Sequence, residues 1–160
     1  SGKNSRREVF PSIANKSMSY SIREQILVAV KDAIEGTYSV DGRVFRSRTD
    51  AFTRAEFPAI SIEPVSDNAE QVTIPRLIWT LTVRIIIFAN GEIPDRGGDK
   101  VVEDMHEKLM SDLTLGGLSM DIQPVSVNFQ LQESDNNSIA IICDYKILYQ
   151  TSLQNISTVN

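Results

Sequence analysis

The order of periodicities along the chain predicts an α+β fold, a mainly antiparallel or mixed sheet with two helices packed on one face. Three observations carry this. Two stretches repeat apolar residues at the three-and-four spacing of a helix with one buried stripe. A long segment from Arg76 to Ala89 alternates, with a continuous apolar row at every second position, as a strand with one dry face does. Two further alternating runs, separated only by Glu133-Ser134-Asp135-Asn136-Asn137-Ser138, read as a hairpin with a polar tip.

Taken in order, residues 1–17 show neither period. They carry Lys3, Arg6, Arg7 and Lys16 against Glu8 alone, and read as a flexible arm or as an upstream or vector-derived remnant. Met18, just ahead of a clean helix start, fits a natural initiator. Ser21 and Glu24 have the spacing of a capping box, so a helix is expected to begin there. Its stripe is Ile22, Ile26, Leu27, Val30, Ala33 and Ile34, with Gly36 as the stop. Asp41-Gly42 predicts a turn into a short strand over residues 43–46. Residues 57–64 read as another short strand, an edge or one with little ladder beyond its prolines.

Residues 66–75 are polar without a clear period and are expected to form a mobile loop. In the long strand that follows, Leu77, Trp79, Leu81, Val83, Ile85 and Ile87 share one face, and Thr80, Thr82 and Arg84 the other. Residues 90–98 are expected to be a second mobile connection. The helix after it would bury Val102, Met105, Leu109 and Met110, with Leu113 beyond, and end in Leu115-Gly116-Gly117. Val125, Val127, Phe129 and Leu131 alternate along the next strand; Ile139, Ile141, Cys143, Tyr145, Ile147 and Tyr149 share a face of the last. Residues 18–151 then form a single domain, and residues 152–160 a polar, frayed tail.

Composition narrows the function. A length of 160 residues suits one core, and no apolar run approaches the ~20 residues of a membrane span. A net charge of −5 argues against nucleic-acid binding, which needs a basic face. The lone Cys143 excludes an intramolecular disulfide and a thiolate cage for zinc. His106 is the only histidine and sits beside the buried stripe, where a hydrogen-bonded structural role is expected. There is no G-x-S-x-G elbow and no phosphate-binding glycine loop, and Arg96-Gly97-Gly98-Asp99 has too few glycines for a dinucleotide turn. The expectation is a protein with no catalytic residues, cofactor or metal.

Charge is nonetheless patterned. Arg43, Arg46, Arg48 and Arg54 cluster, and acids gather at Asp67 and Glu70 and again at Asp95, Asp99, Glu103 and Asp104. Separate basic and acidic patches are one way to steer head-to-tail contacts that close into a ring. A second contact surface is offered by the mixed polar face of Thr80, Thr82, Arg84, Asn128, Gln130, Asp144 and Lys146.

Three segments together make a recognisable pattern: Glu56-Phe57-Pro58-Ala59-Ile60-Ser61-Ile62, then Ile85-Ile86-Ile87-Phe88-Ala89, then Val101-Val102-Glu103-Asp104-Met105-His106-Glu107-Lys108-Leu109-Met110 with Leu113-Thr114-Leu115-Gly116-Gly117-Leu118 after it. In this order they resemble the minor tail proteins of bacteriophages and prophages, specifically the tail-terminator, or tail-completion, proteins of long-tailed phages. The resemblance implies a small α+β protomer that assembles into a homo-oligomeric ring, usually of six, on the end of the tail tube. There it would stop tube polymerisation and join the head–tail connector. It also implies a place in the bacterial host cytoplasm during assembly and in the virion tail, with the tail tube protein and the connector protein as partners, and no catalytic residue, nucleic acid or membrane. The residues nominated for oligomer or partner contacts are Arg46, Arg48, Asp67, Glu70, Arg84, Asp95 and Asp99. The alternative is a small-molecule-binding or enzymatic α+β domain with an apolar pocket, which leaves no sequence signature.

Overall fold

The computed structural model describes residues 20–132 and 137–159. The N-terminal arm, Met18 and most of the 133–138 hairpin tip lie outside the described residues. In chain order the elements are helix α1 (Ile22–Ile34), strand β1 (Val44–Arg46), a 3-10 turn (Arg54–Glu56), strands β2 (Ala59–Thr73) and β3 (Arg76–Asn90), helix α2 (Pro94–Met110), and strands β4 (Asp121–Gln132) and β5 (Ser138–Ser152). The fold is α+β. Its one five-stranded sheet has the order β1-β2-β3-β5-β4, with β1 parallel to β2 and every other pair antiparallel.

The core lies between one face of this sheet and the two helices. Leu81, Val83, Ile85, Ile87 and Ala89 of β3 meet Ile139, Ile141, Cys143, Tyr145, Ile147 and Tyr149 of β5, all buried, beneath Ile26, Val30 and Ile34 of α1 and Val101, Met105 and Leu109 of α2. Both long strands alternate as the sequence requires, because a period of two places every second side chain on the dry face. The helices pack over β1, β2, β3 and β5.

Several expectations are corrected. Residues 66–75 are not a loop: β2 continues to Thr73, paired with β3 as far as Thr73 opposite Arg76. This outer half of the β2–β3 ribbon escaped the periodicity because its β2 residues are mostly exposed, so nothing selects apolar residues at alternate positions. Pro64 is accommodated at a bulge between Pro64 and Ser66. β2 is interior only where β1 covers it, at Ile60, Ser61 and Ile62, and is a free edge beyond.

Residues 94–98 are helical, because Pro94 opens α2 in the position where its fixed φ and missing N–H cost nothing. Gly98 is buried within it: a Cβ there would stand 2.5 Å from Ile141 Cδ1 and 3.2 Å from Ala89 Cβ. The buried stripe is therefore Gly98, Val101, Met105 and Leu109, with Val102 and Met110 at its margin and Leu113 exposed. α2 ends at Met110, and Leu115, Gly116 and Gly117, all at positive φ, shape the turn after it. Asp112 fastens that turn by accepting from the amides of Thr114 (3.0 Å) and Gly116 (2.9 Å).

Ser21 caps α1 as expected, accepting from Glu24 N–H at 3.2 Å, and the helix stops where Thr37 donates to the Ile34 carbonyl rather than through a left-handed Gly36. The described part of the tail is fastened rather than frayed. Thr151 is buried, Val159 bridges to it, and the Ile156 carbonyl accepts from Ile22 N–H at 2.7 Å.

Candidate functional site

Four of the residues nominated for contacts are engaged inside the protomer. Arg46 at the end of β1 donates from its two terminal guanidinium nitrogens, Nη1 and Nη2, to Glu24 of α1, at 3.0 and 2.9 Å. The Arg46 hydrogen bonds hold the Glu24 carboxyl below its ordinary range. Arg48 forks onto Glu56 at 2.8 and 3.1 Å and lies over the rings of Phe45 (4.7 Å) and Phe52 (4.2 Å). Together with two hydrogen bonds from Thr53, Arg48 pulls the Glu56 carboxyl down to about 2. Arg84 pairs with Asp144 across β3 and β5 at 3.0 and 3.1 Å.

Asp67, on β2 rather than in a loop, has a side chain only 6% exposed. Arg23 donates to its Oδ2 at 2.8 Å and the Tyr149 hydroxyl donates to the same oxygen. Arg43, also in the basic cluster, is spent on the carbonyls of Ser39, Glu56 and Pro58. The basic cluster thus ties the β1–β2 connection and α1 to the sheet. Glu70 on the ribbon and Asp95 and Asp99 on α2 are exposed. The structure does not gather the seven nominated residues into one place, since they lie on β1, the connection after it, β2, β3 and α2.

The mixed polar face exists as expected: register sets Arg84 opposite Asp144, Thr82 opposite Lys146, and Asn128 and Gln130 opposite Ile142 and Ala140, on the face away from the helices. At one end it is closed by aromatic packing that sequence reading missed. Phe52, on the connection between β1 and β2, reaches across to Phe88 at 4.7 Å and to Phe45 at 5.6 Å. Scattered phenylalanines give no periodic signal; only the path of the connection brings them together.

On the helix side a groove of about 640 Å³ runs between α2 and β4, with Val102, Tyr145, Pro124 and Val127 in its lining and Asp99, Glu103 and Glu107 along its helical rim. His106 lines it too. Its Nδ1 lies 2.7 Å from the Tyr145 hydroxyl and its ring stacks on the Tyr145 ring, which fixes the imidazole where the sequence placed a structural histidine. Burial raises the Tyr145 hydroxyl above its ordinary pKa and pushes the Cys143 thiol up to about 12, so neither is ionised at neutral pH. Among the described residues no group of three or more His, Cys, Asp or Glu side chains could hold a metal ion. Among the same residues no helix is long and apolar enough to cross a membrane.

From the groove outward along β4, Val125, Val127, Phe129 and Leu131 are 49–68% exposed. Their partners Cys143, Ile141 and Ile139 on β5 are buried, so Val127, Phe129 and Leu131 lie on the helix side of the sheet, where Val127 borders the groove and neither described helix covers Phe129 or Leu131. A second apolar group stands at the turn of the β2–β3 ribbon, where Val72 is exposed and Ile74 is 83% exposed.

No family model matches the chain, and no curated protein matches it.

Proposed function

We propose that the chain is a structural tail protein of a bacteriophage or prophage that forms a ring on the tail-tube end, ends tube polymerisation and presents a surface to the head–tail connector. It carries out no chemistry in this role. The observation that carries the reading is the grouping of exposed apolar side chains, at Val72 and Ile74 on the ribbon and from Val125 to Leu131 along β4. Single exposed apolar residues are ordinary, but contiguous groups mark surfaces that other macromolecules cover. Two such groups on one small protomer suit a protein with more than one neighbour. The sequence resemblance supplies the kind of neighbour. Because Arg46, Arg48 and Arg84 are internally paired, steering charge in this reading falls to Glu70, Asp95 and Asp99.

The test mixes the purified chain with a self-polymerising tail tube protein of the same phage or prophage and measures tube length by negative-stain microscopy, with ring mass by light scattering. The chain shortens tubes and sits on their ends as a ring of six, and Ile74→Asp, at an exposed turn, folds but caps less. Unaltered tube lengths, with no ring on the tube or in solution, would sink the proposal. The groove beside His106 favours one other reading, a small-molecule-binding domain. Thermal-shift screening with apolar ligands separates the two, because a ligand in that groove raises the melting temperature of the monomer.

A further inference from the structure

The two outer edges of the sheet are built differently. The free edge of β2 carries Pro64, two register breaks, between Pro64 and Ser66 and between Gln71 and Thr73, and the acidic residues Glu63 and Glu70. Prolines, bulges and charges of this kind keep a strand edge from pairing with another chain. β4 has Pro124 and a bulge near its beginning. From there to its end, residues 127–132 read Val-Asn-Phe-Gln-Leu-Gln, with no charge, proline or glycine and an unbroken register on β5. An edge and an apolar row that no described residue pairs or covers form an aggregation site unless a strand covers them.

We infer that residues 127–131 of β4 bind the same residues of a second copy of this chain, antiparallel across a twofold axis, so that the two sheets become one. The segment is complementary to itself. Paired about Phe129, it sets Phe129 opposite Phe129, Val127 opposite Leu131 and Asn128 opposite Gln130. The period of two keeps apolar side chains together on the helix side and amides together on the other. No like charges meet across this pairing, although the chain carries a net charge of −5. The other free edge of the sheet is a poor partner because its bulges and carboxylates oppose pairing.

Five residues of strand extend only ~17 Å, so the contact is small beside a standard interface of about 1,600 Å². The pairing is therefore reversible and depends on concentration. Each copy carries a net charge of −5, with Asp99, Glu103 and Glu107 along the groove that reaches Val127, and salt tightens the pair by screening the two copies from each other. This contact does not rest on the tail reading, since a twofold axis joins two chains whatever else they bind.

The experiment is sedimentation equilibrium of the full chain from micromolar to millimolar concentration, at low and high salt, beside Phe129→Lys, Leu131→Lys and a control, Val28→Lys, on the exposed side of α1. All three sites are exposed, and circular dichroism checks that each variant keeps its fold. The parent chain and the control dimerise alike, and either β4 lysine weakens dimerisation by about tenfold or more. Mild oxidation of Phe129→Cys gives a disulfide-linked dimer, since the native Cys143 is buried and the new thiols face each other. A parent chain monomeric throughout, association untouched by both β4 lysines, or no cross-link from Phe129→Cys would each overturn the inference.

Discussion

Glu24 is held by Arg46, not by its own helix cap. Ser21 makes its half of a capping box with Glu24 N–H, but the Glu24 carboxylate turns to the Arg46 guanidinium, accepting at 3.0 and 2.9 Å. A local signal that belongs to one helix thereby becomes a tie between α1 and the end of β1. A double-mutant cycle with Glu24→Gln and Arg46→Met is expected to give a coupling of about 0.5–1 kcal/mol, the discounted value for a fork of which about a third is exposed. Because the pair lowers the Glu24 pKa, the coupling is full above the ordinary carboxylate range and fades as pH falls through the lowered value. Denaturant melts of the four proteins, at neutral and acid pH, measure both.

Glu56 gives a sharper acid signature. Its carboxyl titrates at about 2 in the folded protein against an ordinary 4.5. Its contribution is therefore present above 4.5 and is lost as pH falls from 4.5 toward 2. Glu56→Gln is expected to remove that part of the acid limb, so the stability curves of parent and variant converge as the pH drops. Urea midpoints against pH decide it, and parallel curves would contradict the assignment.

Gly98 is a packing residue. Gly98→Val puts branched carbon atoms where Ile141 Cδ1 already stands 2.5 Å from a Cβ position, and both α2 and β5 must give way. The expected cost is about 1–3 kcal/mol, read as a fall in melting temperature. Gly91→Ala serves as a control of another kind: a Cβ meets nothing there, but φ is +138°, so that variant reports backbone strain without crowding.

The parts of the fold legible in the sequence are those with one face dry and one wet. α1, β3 and β5 all bury one side, so Ile26, Val83 and Cys143 fall on periodic positions. The ribbon from Ser66 was illegible because most of its β2 residues are exposed. The start of α2 was hidden because Gly97 and Gly98 read as breakers, whereas Gly98 is there to let a helix touch β5. For β4 the alternation was plain but its meaning was not. Period two says that Val127, Phe129 and Leu131 share a face; it does not say whether another layer lies on it. The candidate contact residues were recognisable as charges, yet the partners of Arg46, Arg84 and Asp67 lie 22, 60 and 44 or more residues away, beyond any local pattern.

The strand order has a consequence for how the chain reaches its native state. β5, the last strand in sequence, lies between β3 and β4. During synthesis, then, β4 leaves the ribosome with no neighbour to bond, and its uncharged apolar segment waits until the next strand arrives to carry it into the sheet. α1, made first, is also finished late, since its opening amide is bonded to Ile156. Such long-range closure slows folding and prolongs exposure of sticky surface. A nascent chain stalled before β5 would present a bare edge and an unfilled core, a natural target for chaperones and proteases.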